Sequence, residues 1–239
     1  MTTSVDLNVD LGESAERWGS GEDVRLLPLV TSANVCCGAY AGDDDLIRET
    51  CAAAVDHGVA IGAQVGYRDR EGFGRRAVDL APRDLVDEVR RQIDHLRALA
   101  DGVGGVVTYV KPHGALYHRI SHDPHQAEAV VEALLADGTP LPLMGMPTSL
   151  ALEIAVDAGI RTIREGFADR AYTPEGSLVP RDRPGAVLTD PDAAADQALS
   201  LVEEVDSLCV HSDSPGAEQL LQRVRQHLEG HGVTVRAFR

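Results

Sequence analysis

The chain has 239 residues, 44% of them hydrophobic, which is enough to bury the core of one domain. Its 38 acidic residues outnumber 22 basic ones, and the net charge of −16 argues against nucleic acid as a partner, because phosphates require a basic face. Neither a leader pattern nor an apolar run of membrane-spanning length occurs, so we expect one cytoplasmic domain over residues 1–239 and no membrane partner.

Short apolar runs alternate with longer helical patterns from one end of the chain to the other. We predict strands at 5–9, 32–37, 59–63, 105–110, 140–144, 160–163, 207–210 and 233–236. The clearest helix is predicted over 82–100, where Leu85, Val89, Ile93 and Leu96 recur at helical spacing. This alternation predicts a parallel sheet covered by helices, and seven or eight such units favour closure into a (β/α) barrel. An open doubly wound sheet is the alternative fold.

The first strand has one polar face. Asp6, Asn8 and Asp10 alternate with apolar residues, and in a barrel this face points inward. Buried carboxylates are costly unless they are hydrogen-bonded, paired with a cation or bound to a metal. A half-exposed edge strand would explain the same pattern without a buried charge.

Lys111, in the stretch VKPHGALY, is the only lysine, whereas the other 21 basic residues are arginines. Arginine serves on most solvated surfaces, so the exception indicates a position that needs a compact ammonium group. Lys111 follows a predicted buried strand and is a suitable partner for a buried carboxylate of the first strand.

Polar residues follow six of the predicted strands, at the positions that form the C-terminal mouth of a barrel, where (β/α) enzymes build their sites. These residues are Asp10 and Glu13, Gly38 and Tyr40, Gln64, Lys111 and His113, Glu165 and Asp169, and His211 and Asp213. The irregular stretches 64–81 and 165–189 are long enough to be binding loops. The sequence lacks the phosphate loop GxxxxGK[ST], the dinucleotide motif GxGxxG and the serine-hydrolase motif GxSxG.

Six motifs together resemble the LamB/YcsF family, and they cover nearly the whole chain. They are DLNVDLGE (6–13), SANVCCGAYAGD (32–43), IGAQVGYRDREGFGRR (61–76), VKPHGALY (110–117), FADRAYTPEGSLVPR (167–181) and CVHSD (209–213). The resemblance implies a (β/α) barrel related to the glycoside hydrolase/deacetylase superfamily. It also implies ATP-dependent hydrolysis of 5-oxo-L-proline to L-glutamate, performed with separate 5-oxoprolinase subunits B and C.

The chain departs from the family at two histidines. The family usually reads GFHAGD and GAHPG, whereas this chain reads GAYAGD and GAQVG, so Tyr40 and Gln64 replace imidazoles. Related deacetylases hold a divalent metal with an aspartate and two histidines, and Asp10 would be that aspartate. Because tyrosine and a glutamine amide are poor substitutes for imidazole, we expect no tightly bound transition metal.

The resemblance implies a set of roles at the barrel mouth. Asp10 or Glu13 would activate water, Lys111 would stabilise negative charge, His113 would donate a proton or hydrogen bond to the leaving atom, and Arg76 or Arg170 would hold the substrate carboxylate. The other residues predicted to contact substrate are Asn8, Asn34, Gly38, Tyr40, Gln64, Arg75, Tyr117 and Asp169. Two alternatives remain open: a noncatalytic binding or regulatory relative, and a stand-alone carbohydrate deacetylase.

Overall fold

The computed structural model describes residues 3–136, 138–174 and 176–238. Its strands are β1 (Ser4–Leu11), β2 (Ser32–Cys36), β3 (Ala60–Val65), β4 (Val107–Pro112), β5 (Leu143–Gly145), β6 (Thr162–Phe167), β7 (Ser207–Cys209) and β8 (Thr234–Val235). Its α-helices are α1 (Ala15–Gly19), α2 (Asp44–Asp56), α3 (Pro82–Asp101), α4 (Gly114–Arg119), α5 (Pro124–Leu135), α6 (Leu150–Asp157), α7 (Pro191–Leu201) and α8 (Ala217–Gly230). A 3-10 helix spans Val24–Leu29.

Strands β1 to β7 form a closed parallel ring. Neighbours in the chain are neighbours in the sheet, and β1 pairs with both β2 and β7. The two-residue β8 pairs only with Ser4 and Val5 of β1, below the place where β7 joins it. The predicted (β/α) barrel is therefore confirmed, and the open sheet was the wrong alternative.

Helix α3 shows how the sequence builds the outer layer. The apolar residues that recur at helical spacing, Leu85, Val89, Ile93 and Leu96, are all buried. Pro82 begins the helix, where its missing N–H leaves no hydrogen bond unmade. The helix ends one residue beyond the predicted range. Among the described residues, no helix is long and apolar enough to cross a membrane.

Several predicted strands end too early. Strand β4 continues through Lys111 and Pro112, and β6 continues through Glu165 to Phe167. The predictions stopped short of Lys111 and Glu165, because charge ordinarily marks solvent. Inside a closed barrel, those charged residues are buried against one another.

The barrel interior is filled below its mouth. The Tyr109 ring lies beside Gly62 on the neighbouring strand, and a Cβ built on Gly62 would lie 2.1 Å from the ring carbon Cζ. Only glycine at position 62 therefore leaves room for the ring. Phe238 packs edge to face against Tyr109, with 5.0 Å between centroids.

Candidate active site

A cavity of about 370 Å³ lies at the carboxyl ends of the strands, within the range of about 300–1,000 Å³ that is usual for ligand pockets. Its walls come from strand ends and from the segments 66–81, 168–190 and 210–216 that follow β3, β6 and β7. The predicted residues that line it are Asp10, Glu13, Gln64, Arg75, Lys111, His113, Tyr117 and Arg170.

Lys111 lies deep in this cavity with its side chain 4% exposed. Its ammonium Nζ lies 2.7 Å from Glu165 Oε1, 3.2 Å from Asp10 Oδ1, and 3.3 Å from both Asn8 Oδ1 and Cys209 Sγ. Burial lowers the pKa of Lys111, but its partners more than compensate and hold that pKa well above its usual value. The three N–H donors thus serve four protein neighbours.

Asp10 and Glu13 differ in their protonation. Burial raises the pKa of Asp10, but the charge of Lys111 and the hydrogen bond from Asn34 help to outweigh burial and hold it far below its ordinary value. Burial and the nearby charge of Asp10 raise the pKa of Glu13 to about 8. One carboxyl is therefore ionised and the other holds its proton near neutral pH.

His113 uses both ring nitrogens inside the protein. Nε2 lies 3.0 Å from the Phe73 carbonyl oxygen, which can only accept, so Nε2 carries the hydrogen. Nδ1 then accepts from the Gln64 amide Nε2 at 3.2 Å. Burial lowers the pKa of His113 to about 4, and Tyr40 stacks on its ring at 4.0 Å. The role of proton donor predicted for His113 does not fit this geometry, because its one N–H already donates to the Phe73 carbonyl.

His211 has the opposite arrangement. Its Nδ1 lies 3.0 Å from Oδ1 of Asp169, and its backbone N–H donates to the same carboxylate at 2.9 Å. Ser214 also donates to Asp169, at 2.5 Å. Burial raises the pKa of Asp169, but the bonds and charge of His211 outweigh burial and lower it. Since Nδ1–H faces the carboxylate, Nε2 is the ring nitrogen left to exchange a proton in the cavity.

Four predicted site residues lie just behind the cavity wall. Asn34 donates to Asn8 Oδ1 at 2.7 Å and to Asp10 Oδ1 at 2.8 Å, which fixes two inward-facing side chains of β1. Tyr40 donates to Glu13 Oε1 at 3.2 Å, and Asp169 holds His211. These residues orient the lining groups.

Two predicted residues lie outside the lining of the cavity. Arg76 binds the Asp69 carboxylate, and its side chain is 60% exposed. Gly38 has φ of +78° and accepts a hydrogen bond from Arg70 through its carbonyl at 2.9 Å. Arg170 does line the cavity, but it donates to the carbonyls of Val179 and Ala186 and so holds its own loop.

Four buried side-chain oxygens have no hydrogen-bond partner among the described residues: Gln64 Oε1, Tyr117 Oη, Glu165 Oε2 and Thr173 Oγ1. Gln64 and Tyr117 line the cavity, and Glu165 binds Lys111 directly beneath it. Buried polar atoms are rarely left unpaired in native proteins. Three of the four unpaired oxygens thus lie at the cavity, which supports the binding of a polar ligand there.

The predicted site list omitted Glu165, His211 and Arg181. Glu165 and His211 belong to the polar residues that follow predicted strands, and this position was the available signal. Their partners were not readable, because the contacts with Lys111 and Asp169 join residues that are far apart in the chain. Nothing in the local pattern distinguishes Arg181 from the other loop arginines.

The donor set at the mouth does not fit a divalent metal. Asp10, Glu13 and His113 can bring one ligand atom each within 4.8 Å of one another. However, the Lys111 ammonium already lies on Asp10 Oδ1, and the Gln64 amide takes the lone pair of His113 Nδ1. A second cation beside the ammonium would be repelled, and among the described residues His211 is not within ligand distance of this group.

Comparisons with known proteins identify the family of this chain. Residues 5–239 match the LamB/YcsF family. Proteins named as the A subunit of 5-oxoprolinase, from Streptomyces avermitilis and Streptomyces coelicolor, are each 50% identical, over 98% of this chain and 99% of theirs. The structure of a lactam utilization protein from Thermus thermophilus is 40% identical with a TM-score of 0.90, over 98% of this chain and all of that one.

A more distant likeness concerns the fold alone. A family 4 carbohydrate esterase from Streptomyces lividans is 14% identical, with a TM-score of 0.53 over 98% of this chain and 91% of its own. The family match spans residues 5–239, and a relative is 50% identical over 98% of this chain. This chain therefore belongs to the LamB/YcsF family.

Proposed function

We propose that this chain is the A subunit of a 5-oxoprolinase, which hydrolyses the cyclic amide of 5-oxo-L-proline to L-glutamate in the cytoplasm. Its partners are subunits B and C, and ATP is the co-substrate of the complex. The proposal is supported by the name carried by relatives that are 50% identical over nearly their whole length. The Thermus thermophilus protein, which is named for lactam utilization, has the same fold.

The observation that carries the proposal is a pair of carboxyl groups with opposite pKa shifts in one cavity. Asp10 is held ionised beside Lys111, whereas the pKa of Glu13 is raised to about 8. Environments that separate two titrating groups in this way are typical of acid and base assignments in hydrolases. Protonated Glu13 can supply the proton that the leaving nitrogen gains, and ionised Asp10 can stabilise the positive charge that forms when a histidine takes the proton of water.

The stability of the amide explains why this reaction requires ATP. The resonance of an amide makes its carbonyl carbon a poor electrophile. Transfer of a phosphoryl group to the amide oxygen would make the carbon electrophilic and would leave phosphate as a departing group. The lack of a GxxxxGK[ST] loop in this chain mildly favours one of its partners as the place where ATP binds.

The residues of this chain divide the hydrolytic step between them. His211, oriented by Asp169, accepts a proton from the attacking water through Nε2. Asp10, fixed by Asn34 and Lys111, orients that water and stabilises the imidazolium that forms. Glu13 gives its proton to the ring nitrogen as the carbon–nitrogen bond breaks. The open-chain product still carries the phosphoryl group as an acyl phosphate, and a second water hydrolyses it to L-glutamate and phosphate. The proton held by His211 returns to Glu13 through solvent.

Reconstitution tests the proposal. The isolated chain should release little or no glutamate from 5-oxo-L-proline, and ATP-dependent release should appear when subunits B and C are added. Within the complex, His211→Asn should lower the rate by about 10²–10⁴-fold, the usual contribution of a positioned base. His57→Asn is the matched control, because this surface histidine only contacts the carbonyl of its own helix. Strong release by the isolated chain, or full activity of His211→Asn, would contradict the proposal.

We also propose that the chain holds no resident transition metal, given the donor set around Asp10. Elemental analysis of protein purified without a chelator is the measurement. One zinc or similar ion per chain would overturn this and would favour the deacetylase alternative.

A further inference from the structure

Two arginines share one carboxylate at the rim of the cavity. Arg75 Nη2 lies 2.6 Å from Asp213 Oδ2, and Arg181 Nη1 lies 3.0 Å and 2.9 Å from the two oxygens of the same carboxylate. Each member comes from a different segment: 66–81, 168–190 and 210–216. All three residues line the cavity. The cluster therefore joins three loops and faces the ligand space.

This cluster has one positive charge in excess. A guanidinium has five N–H donors, and each of these two arginines uses one nitrogen on Asp213. Among the described residues, no other hydrogen bond from either side chain is present. Arg75 and Arg181 remain 43% and 28% exposed, so both can turn towards an incoming anion. Planar donors of this kind suit a carboxylate.

The remaining cavity offers no comparable place for an anion. Arg170 is committed to two loop carbonyls, and Lys111 lies between the carboxyl groups of Asp10 and Glu165. A ligand carboxylate placed beside Asp10 would meet like charge. The cavity is thus polarised, with acids at its base and arginines at its rim.

We propose that Arg75 and Arg181 bind the carboxylate of the substrate, in place of Arg76 and Arg170, and that Asp213 competes with it for them. The inference rests on the proposed function and deepens it. With the carboxylate at the rim, the lactam ring points inward, so that its amide meets Asp10, Glu13 and His211. The two arginines therefore select anionic lactams and fix which end enters first.

Competition between Asp213 and the substrate carboxylate predicts opposite effects on affinity from neighbouring substitutions, which a loss of folding would not produce. Arg181→Gln and Arg75→Gln remove donors and should weaken binding of the anion. Asp213→Asn keeps the shape of the side chain but removes the internal rival charge, so it should tighten binding. Opposite effects from neighbouring residues exclude a general disturbance of the loops.

Calorimetric titration of the full chain, alone and within the reconstituted complex, measures the affinity for two ligands. They are 5-oxo-L-proline and 2-pyrrolidinone, the same lactam without its carboxylate. Each arginine variant should bind 5-oxo-L-proline about 10- to 100-fold more weakly, since bonds to charged groups are the stronger ones. Asp213→Asn should bind it several-fold more tightly. Affinity for 2-pyrrolidinone should change less than about twofold. Arg223 forms a surface ion pair with Asp192, so Arg223→Gln is the matched control.

The possible results distinguish failure of the carboxylate site from failure of the proposed function. If both lactams bind but Arg181→Gln leaves the affinity for 5-oxo-L-proline unchanged, the inference fails and the proposed function stands. An equal loss for both ligands also contradicts a carboxylate site. If neither lactam binds to the chain or to the complex, the proposed function fails and the inference fails with it.

Discussion

The floor and the mouth of the barrel each contain an aspartate from the same face of β1, and they treat it differently. At the floor, Asp6 accepts hydrogen bonds from the hydroxyls of Thr31 and Ser32, each at 2.6 Å, and from Ser207. At the mouth, four residues further along, Asp10 faces the Lys111 ammonium. Burial raises the pKa of Asp6 to about 6, whereas the pKa of Asp10 is held far below its usual value.

The difference shows what a cation adds to a buried acid. Neutral hydroxyl donors satisfy the oxygens of Asp6 but do not offset the loss of hydration of its charge. An ammonium offsets it and keeps Asp10 ionised. We interpret the floor as structural and the mouth as functional, and each prediction below tests that contrast.

The largest expected effect is a difference in activity between variants of Asp10 and Asp6. In the reconstituted complex, Asp10→Asn should lower the rate of glutamate release by about 10²–10⁴-fold, because the neutral amide cannot stabilise the imidazolium of His211. Asp6→Asn should stay within about threefold of wild type, since Asp6 lies outside the cavity lining. Steady-state assays decide it, and equal losses in both variants would erase the contrast.

The second prediction concerns stability at the mouth. Lys111→Met leaves Asp10 and Glu165 buried without their cation and should lower the free energy of unfolding by about 3–5 kcal/mol. Denaturant titration measures it. Adding Asp10→Asn to Lys111→Met should restore part of the loss, because the unpaired charge is then absent. A cost below about 1 kcal/mol would mean that the buried pair does not need its ammonium.

The third prediction concerns pH at the floor. Because the pKa of Asp6 is about 6 in the native state and about 3.8 unfolded, the native state holds its proton more tightly between these values. Stability should therefore fall as pH rises from about 4 to about 6, by up to about 3 kcal/mol, and remain lower above pH 6. Asp6→Asn should remove this part of the slope and leave the part due to Glu13, whose pKa is raised from 4.5 to about 8. Denaturant titrations of both proteins across that range give the difference, and an unchanged slope in the variant would exclude Asp6 as its source.

The fourth prediction asks whether the mouth needs an amine or only a charge. Lys111→Arg keeps the charge, but its planar head cannot replace a compact Nζ that has four neighbours within 3.3 Å. The variant should fold and lose about a hundredfold in activity. Thermal melts and assays of the complex measure both. Turnover near that of wild type would show that arginine serves equally well at this position.

The smallest effect is a pH profile. If Glu13 donates a proton with a pKa of about 8, kcat should fall about tenfold per pH unit above that value. Glu13→Gln should be slower near neutral pH and should lose this alkaline limb. A limb that persists in the variant would assign the titration to another group.

The barrel could be predicted from the sequence, because apolar runs that alternate with amphipathic helices indicate parallel strands covered by helices. All eight predicted strands overlap observed ones. The strand ends at Lys111 and Glu165 were missed, because a local pattern treats any charge as exposed. Only the closed ring shows that these two charges face each other across the interior.

The site was predictable as a location and less so in its roles. Polar residues after successive strands placed Asp10, Lys111 and His113 correctly at the mouth. The role suggested for His113 depends on the carbonyl of Phe73, which lies 40 residues away and fixes the tautomer. Hydrogen bonds of this kind depend on tertiary packing, which residue spacing does not encode.

The Tyr109 ring, which fits against Gly62, has a consequence for the depth of the ligand space. The ring and Lys111 occupy successive inward positions of β4, so an aromatic plug lies one layer below the ammonium. The reach of the cavity into the barrel is thus set by one side chain rather than by the ring of strands. A smaller residue at position 109 would extend the chamber downward and admit longer ligands, whereas any side chain at position 62 would compete with the plug itself.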